Sequence, residues 1–532
     1  MKLNTKRTVC VGFAFFLICA FWQAYDTIIP KILTDRFGMS QGVSGFIMAL
    51  DNIFALFLLP LFGVLSDKCR SKLGRRTPFI LGGTLLAVAA LVVLSWVSGI
   101  QLDRLGVIGD IDSPEARYLI YDAKGDESLV TPDGERFVLS ERFTRDEFAA
   151  IPSERADGSG KADDDYTAYV VPARQAYVRT EITAKNIAVL VGFIAILLLL
   201  LLSMATFRTP AVALMPDVTP KPLRSKGNAI INLMGTIGGS LILGLGMLLG
   251  TGSTANTFMS YSGYFLIVGG LMLVCLAAFM ITVNEPKMVR EMEEESRAFG
   301  IDESADDSAD ESANCDATRS GSDSVGSRLS RGELLSLVLI LASVVLWYFG
   351  YNAVTSKYSV YAGNVLGLDY NSTLLVANVA ALISFIPVGA LSSRFGRKKM
   401  IIAGVILLGA AFTVAAFLTN GTPLPVMMVI FSLAGIGWAT INVNSFPMVV
   451  ELARGGSVGR YTGFYYTASM AAQTLTPVLS GFMMDKLGMR TLFPYAAVCV
   501  AAALVTMSFV QHGDSKPQKK GALESLGDGD DI

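Results

Sequence analysis

Gly63-Val-Leu-Ser66-Asp67-Lys-Cys-Arg-Ser-Lys-Leu-Gly74-Arg75-Arg76-Thr-Pro78-Phe79 and Gly389-Ala-Leu-Ser392-Ser393-Arg394-Phe395-Gly396-Arg397-Lys398-Lys399 are two versions of one pattern. Each basic, glycine-containing hairpin leaves one long apolar run and enters another. A unit repeated at half-chain spacing predicts two homologous membrane bundles with a substrate path between them. In the first copy, Gly63 suits close helix packing and Asp67 can cap or pair with a helix end. Gly74 permits a tight turn, and Arg75 and Arg76 anchor at the membrane surface. An ordinary basic loop would need only a Lys/Arg cluster, so the recurrence at Gly389 carries the inference.

Composition agrees. Hydrophobic residues make up 52% of the 532 residues and charged residues 17%, against about 25% charged in soluble domains. The apolar residues fall into runs of roughly 20, long enough to cross a bilayer as helix. The six cysteines (10, 19, 69, 275, 315 and 499) show no CxxC spacing, and the one histidine, His512, lies in a terminal tail. A disulfide framework, a metal site and a histidine-based catalytic constellation are therefore not expected. Met1 to Arg7 precede an apolar run that continues into Trp22-Gln23-Ala24-Tyr25-Asp26 without a small-residue cleavage site, which reads as a first span and not a leader.

Twelve spans are expected near 8–30, 41–64, 79–99, 186–213, 227–249, 263–283, 333–356, 372–393, 400–418, 424–449, 461–482 and 491–510. The fold class is thus an all-α membrane protein of two pseudo-symmetric six-helix bundles, 1–283 and 333–510, with a tail at 511–532. Lys and Arg cluster in the loops after even-numbered spans (Lys68, Arg70, Lys72, Arg75, Arg76; Lys221, Arg224, Lys226; Arg394, Arg397, Lys398, Lys399), whereas 250–262 and 419–423 carry none. The positive-inside rule then puts both termini in the cytoplasm of a cell-membrane protein. Residues 100–183 read as an acidic extracellular insertion, a small β-rich cap of short hairpins broken at Lys124-Gly125 and Asp133-Gly134, with a flexible link at 156–165. Residues 284–332, rich in Glu, Asp and Ser, read as a disordered cytoplasmic linker.

The string Ser66-Asp67-Lys-Cys69-Arg-Ser71-Lys-Leu-Gly74-Arg75-Arg76-Thr-Pro78-Phe79-Ile80 resembles the signature loop of the major facilitator superfamily. Its lengthened form is that of the glycoside–pentoside–hexuronide/cation symporters, closest to their sucrose/proton branch. Pro210-Ala-Val-Ala-Leu-Met-Pro216-Asp217-Val-Thr219 and Arg224-Ser-Lys-Gly-Asn228 resemble the fourth span and following loop of that branch. The resemblance implies alternating access and sugar transport. Two departures matter. Sodium-coupled melibiose-type relatives use two acids one turn apart in the second span, where this chain has Ala55 and Leu59, so a proton is favoured over sodium as coupling ion. Plant sucrose carriers place an Arg after the proline of the fourth span; here Val212 follows Pro210 and Arg208 precedes it.

Charges inside spans identify the coupling candidates, because each costs at least about 2.5–3.5 kcal/mol to insert. Asp51 is the expected proton carrier, Arg208 its modulator through transient pairing, and Asp26 a contributor nearer the interface. Fixed structural pairing is the plain alternative. Aromatic faces beside amides suit a sugar, which selects Trp22, Gln23, Tyr25, Asp26, Asn232, Trp347, Asn352, Asn378, Trp438, Asn442 and Asn444; Trp and Tyr also serve as interface anchors. An acid before a basic loop occurs twice, at Asp217 and at Glu451 followed by Arg460. Asp217 with Arg76, and Glu451 with Arg397, are candidate cytoplasmic gate pairs, together with Gly63, Asp67, Gly74, Arg75, Arg224, Gly389, Arg394 and Gly396. The expectation is a monomeric proton-coupled importer of a sucrose- or maltose-type glucoside, with no cofactor and no nucleic-acid partner. An exporter of drugs or organic anions on the same fold is the alternative, and a sensor using the insertion the alternative of another class.

Overall fold

The computed structural model describes residues 4–157, 160–220, 223–298, 331–450, 452 and 458–512. Six long helices form the first half: α1 (Thr5–Lys31), α2 (Gln41–Asp67), α3 (Thr77–Leu105), α8 (Ile187–Asp217), α9 (Arg224–Leu249) and α10 (Ser262–Thr282). Between α3 and α8 stand α4 (Pro114–Lys124), β1 (Ser128–Val130), β2 (Arg136–Val138), α5 (Leu139–Arg142), α6 (Arg145–Ala150) and α7 (Val171–Tyr177). After α10 comes α11 (Glu285–Ala298). The second half holds α12 (Arg331–Asn364), α13 (Tyr370–Phe395), α14 (Arg397–Ala415), α15 (Leu424–Val450), α16 (Val458–Leu487) and α17 (Leu492–Ser508).

The twelve long helices pair in duplicate. In the first half α1 packs on α9 and α10, α3 on α8 and α10, and α2 on α8. In the same order α12 packs on α16 and α17, α14 on α15 and α17, and α13 on α15. Across the halves α2 meets α16, α9 meets α13, and α1 meets α12, which is the pattern of a pseudo-twofold axis. Each half encloses its own apolar core, one around Val11, Ile28, Leu200 and Val268, the other around Ile340, Trp347, Leu408 and Val500.

Ten helical segments among the described residues are long and apolar enough to span a membrane. The other two long helices, α13 and α16, have the length to span as well (26 and 30 residues). Polar caps close the elements: Asn4 accepts from Arg7 N at 3.2 Å, and Ser40 from Val43 N at 3.3 Å. The paired loops share their turn chemistry, because Gly74 (φ +112°) and Gly396 (φ +90°) both occupy backbone regions that only glycine enters readily.

The insertion departs from expectation. Among the described residues its strands are β1 and β2, a hairpin registering Leu129 with Phe137, whereas Arg117–Lys124 lies in helix α4, capped by Ser113. Alternating apolar residues there serve a short amphipathic helix whose buried side holds Ala116 and Ile120. The cap is mainly helical and has its own core, including Leu105, Phe137, Phe148, Tyr166 and Ala173. It also grows out of the membrane helices: α3 runs on to Leu105, and helical structure continues from Tyr166 through Asp217. In the linker, residues 285–298 form α11 instead of a disordered start; 299–330 lie outside the described residues.

Candidate functional site

On the α1 side of the interface between the halves, Trp22, Tyr25 and Asp26 share a helix face. The Arg208 guanidinium of α8 sits 5.3 Å from the centre of the Trp22 ring, and Trp22 meets Tyr25 edge-on at 5.3 Å. Asp26 and Asp51 each lie within electrostatic range of Arg208 and of one another. Arg208 therefore faces both carboxylates without a direct ion pair to either being formed among the described contacts. Asn52 Nδ2 donates to Asp51 Oδ1 at 2.8 Å. All three charged side chains keep partial exposure.

The facing wall comes from α12 and α15. Tyr351 stacks flat on Trp438, with ring centres 3.6 Å apart and planes 2° from parallel, while Tyr348 meets Trp438 edge-on at 5.3 Å. Tyr351 also lies within electrostatic range of Asp26 across the interface. A chain of hydroxyls runs from Tyr348 to Tyr465 and on to Ser445, the last step 2.9 Å. Asn378 Nδ2 of α13 donates to Gln23 Oε1 of α1 at 3.4 Å and bridges the halves. Three polar atoms here are enclosed without a hydrogen-bond partner: Trp22 Nε1, Tyr25 OH and Asn352 Nδ2. Enclosed polar atoms left unpaired cost about 1–3 kcal/mol each, so a site holding several is built to meet something else.

Other expected contacts fall elsewhere. Trp347 is fully buried in the second core. Asn444 is buried and donates to Thr440 O of its own helix at 2.8 Å, while Asn232 and Asn442 are exposed on α9 and α15. Tyr351 was missed, although Trp347-Tyr348-Phe-Gly-Tyr351-Asn352 puts Tyr348 and Tyr351 three apart on one helix face.

At the chain-terminus side of the first half, Arg76 is nearly buried and central to a charge network. Its Nε pairs with Asp217 Oδ2 at 2.9 Å, its Nη2 with Asp67 at 2.5 Å, and its Nη1 donates to Ser66 Oγ at 2.5 Å. Arg75 reaches Asp217 at 3.8 Å. Burial works against the Arg76 charge, but the hydrogen bonds and charges of Asp217 and Asp67 outweigh it and hold its pKa above the ordinary value. Glu285, at the start of α11, accepts from Arg75 N, Arg76 N, Thr77 N and Thr77 Oγ1 at 2.6–3.0 Å and so caps α3. Gly63 lets α2 approach α8, since a methyl there would lie 3.3 Å from Thr209 Cγ2. These groups all belong to the first half; Asp67 pairs within it and not across to the other.

The second copy is looser. Among the described residues nothing lies within 4 Å of a methyl placed on Gly389, and Arg394 is exposed beside Phe395. Arg397 opens α14 and is engaged, but Glu451 lies outside the described residues, as do the side chains of Arg224 and Arg460.

The halves are sealed on the cap side by charges that sequence reading passed over. Asp485 of α16 accepts from Gln41 N and Gly42 N of α2, both at 2.7 Å, and Lys357 Nζ of α12 donates to Gln41 O at 2.6 Å. Asn371 Nδ2 donates to Thr251 Oγ1 at 3.0 Å, and Tyr370 meets the same hydroxyl at 3.0 Å. Gly42, Gly45 and Gly481 make the α2–α16 crossing close: a methyl on Gly42 would lie 2.9 Å from Asp485 Oδ2, and one on Gly45 would strike Pro477 O. Lys357 and Asp485 lie beyond the expected span ends at 356 and 482, whereas the helices continue to Asn364 and Leu487.

The sequence model of the Major Facilitator Superfamily matches residues 11–103, 182–386 and 375–527. Among curated proteins, the sucrose transport protein SUC3 of Arabidopsis thaliana is 40% identical over 73 residues, 14% of this chain and 12% of that protein. The bacillibactin exporter of Bacillus subtilis (strain 168) is 29% identical over 124 residues, 23% of this chain and 31% of that one. The chain thus spans under a third of the length of either relative. Among solved structures, the inward-open xylose transporter XylE from E. coli superposes with TM-score 0.53 at 13% identity, over 98% of both chains. That identity speaks for the fold alone. Matched by the superfamily model over most of its length, and built of two six-helix bundles paired in duplicate, this chain belongs to the Major Facilitator Superfamily and is a membrane transporter, not an enzyme.

Proposed function

We propose that the chain is a proton-coupled sugar symporter working by alternating access, with a sucrose- or maltose-type glucoside as substrate. The observation that carries this is the pairing of unlike walls across the interface between the halves. Carboxylates and a guanidinium (Asp26, Asp51, Arg208) face a flat aromatic stack (Tyr351 on Trp438) and an unpaired amide, Asn352. Aromatic faces receive the apolar faces of a sugar ring, while amides and carboxylates meet its hydroxyls. A carboxylate facing an arginine can exchange that partner for a proton, which couples protonation to conformation. Asp51 is the proton carrier in this reading, Arg208 sets its proton affinity, and Gln23–Asn378 closes over the bound sugar. The name of the Arabidopsis relative supports the substrate class.

The cap-side seal makes this conformation the one that faces away from the cap. With the cap extracellular, both termini lie in the cytoplasm and the protein sits as a monomer in the cell membrane. A counterflow screen of labelled mono- and disaccharides in proteoliposomes tests the proposal. Glucoside exchange with medium alkalinisation on uphill uptake supports it; exchange of no sugar refutes it. The match to a bacillibactin exporter favours a second reading, export of an organic anion gathered by Arg208. Outward counterflow of organic anions with no sugar exchange would select it.

A further inference from the structure

We infer that the insertion between α3 and α8 is a strap that holds the cap-side face closed and must release the second half when that face opens. The inference rests on alternating access as proposed above. The insertion is fixed to the first half at both ends, because α3 and the helical segment entering α8 run straight into it. Its own core makes it a body that moves with that half.

Yet it grips the cap-side loops of the other half. At the α12–α13 loop, Ala162 N donates to Gly367 O at 3.4 Å. At the α14–α15 loop, Lys161 Nζ donates to Asn420 O at 2.6 Å and Thr422 O at 2.8 Å; Asn420 Nδ2 donates back to Ala162 O at 2.5 Å and to Asp164 Oδ1 at 3.1 Å. At the α16–α17 loop, Arg490 N donates to Pro132 O at 3.2 Å and its guanidinium pairs with Asp133. There Gly488 sits against the β1–β2 turn so closely that a methyl on it would lie 2.7 Å from Pro132 O.

A covering domain without a conformational role has no need to reach all three loops. Cap-side opening separates α2 from α16 and α9 from α13, and a body rigid with the first half cannot follow three loops of the second. The strap contacts therefore break on opening, and their free energy is added to the closed state alone. The contacts are unequal. Asn420 is 4% exposed and Ala162 fully buried, whereas Arg490 and Asp133 are each about half exposed and form a weak surface pair. Lys161 and Asn420 carry most of the hold.

The test uses the full-length chain in lipid nanodiscs, with Ser44→Cys as reporter. Ser44 is fully buried on α2 beside Gly45, at the cap-side crossing with α16. Labelling by a maleimide is followed against the same chain without the reporter, which corrects for the native cysteines. Asn420→Ala with Arg490→Ala should label about three- to tenfold faster than the parent, the equivalent of one net buried hydrogen bond. Asn420→Ala alone should give most of the effect. Lys161→Met, which keeps the stem and removes the ammonium, should accelerate labelling even if the double variant fails to fold. Rates within twofold of the parent in both folded variants overturn the inference, as does an equal acceleration at the native cysteines of the chain without the reporter, which marks general loosening. A chain that exchanges no sugar yet labels as expected refutes the proposed substrate and leaves the strap standing.

Discussion

Replacing Glu285 by Gln should loosen the membrane-surface loop that Arg75 and Arg76 anchor, and the cost can be worked from its bonds. The side chain is 2% exposed. Oε1 accepts from Arg75 N at 2.6 Å and Arg76 N at 3.0 Å, and Oε2 from Thr77 N and Thr77 Oγ1, each at 2.8 Å. These donors include the N–H groups of Arg76 and Thr77, the cap and first residue of α3, where the helix dipole favours an anion. Glutamine keeps the shape but turns one acceptor into an NH2 group facing two donors. Losing two hydrogen bonds to a charged group costs about 3–6 kcal/mol, of which water entering at the membrane surface returns about 1–2. In detergent, thermal unfolding of the purified protein should fall by about 1–5 °C. Glu291→Gln, on the same helix and 42% exposed with a 3.8 Å contact to Lys287, should change it by no more than about 1 °C. Equal melting of the two variants would refute the reasoning, because α3 would then not depend on Glu285 for its start.

Asp51→Asn should abolish uphill uptake while leaving exchange, measured by accumulation against counterflow in the same proteoliposomes; intact accumulation sinks the coupling assignment. Two tryptophans should separate by phenotype. Trp438→Ala removes a stack worth about 0.5–1.5 kcal/mol and should raise the sugar KM about two- to tenfold, whereas Trp347→Ala empties a core site at a cost of about 3–5 kcal/mol and should lower melting and yield. A pH effect follows from Asp369, which caps α13 within the cap-side seal. Burial pushes its carboxyl above the ordinary value, against hydrogen bonds from Asn371 and the charge of Lys31. A raised folded-state pKa means its stabilisation is complete below the unfolded value and is lost as pH rises through the raised one. Labelling at Ser44→Cys should therefore quicken as pH rises above the ordinary carboxylate range, and Asp369→Asn should flatten that dependence.

What the residues determine alone is the architecture. The repeated loop at Gly63 and Gly389, and apolar runs of bilayer length, dictate helices and two halves, because backbone in lipid must satisfy its hydrogen bonds within each span. The Asp217–Arg76 pair was legible because an acid before a basic loop occurs twice, and the Asp26, Asp51 and Arg208 constellation because charges in spans are costly and so conspicuous. The amides were less so, since a span's sequence does not say which face meets the other bundle. Asn378 bridges to Gln23, Asn444 bonds its own helix, and Trp347 fills a core. Lys357 and Asp485 escaped notice because charges near a span end read as loop. The helical cap was hidden by short apolar alternation that suits strand and helix alike. Only the tertiary structure decided which side is shut, that Tyr351 lies flat on Trp438, and that the insertion crosses to the opposite half. Those are facts of packing between segments hundreds of residues apart, and local pattern carries no record of them.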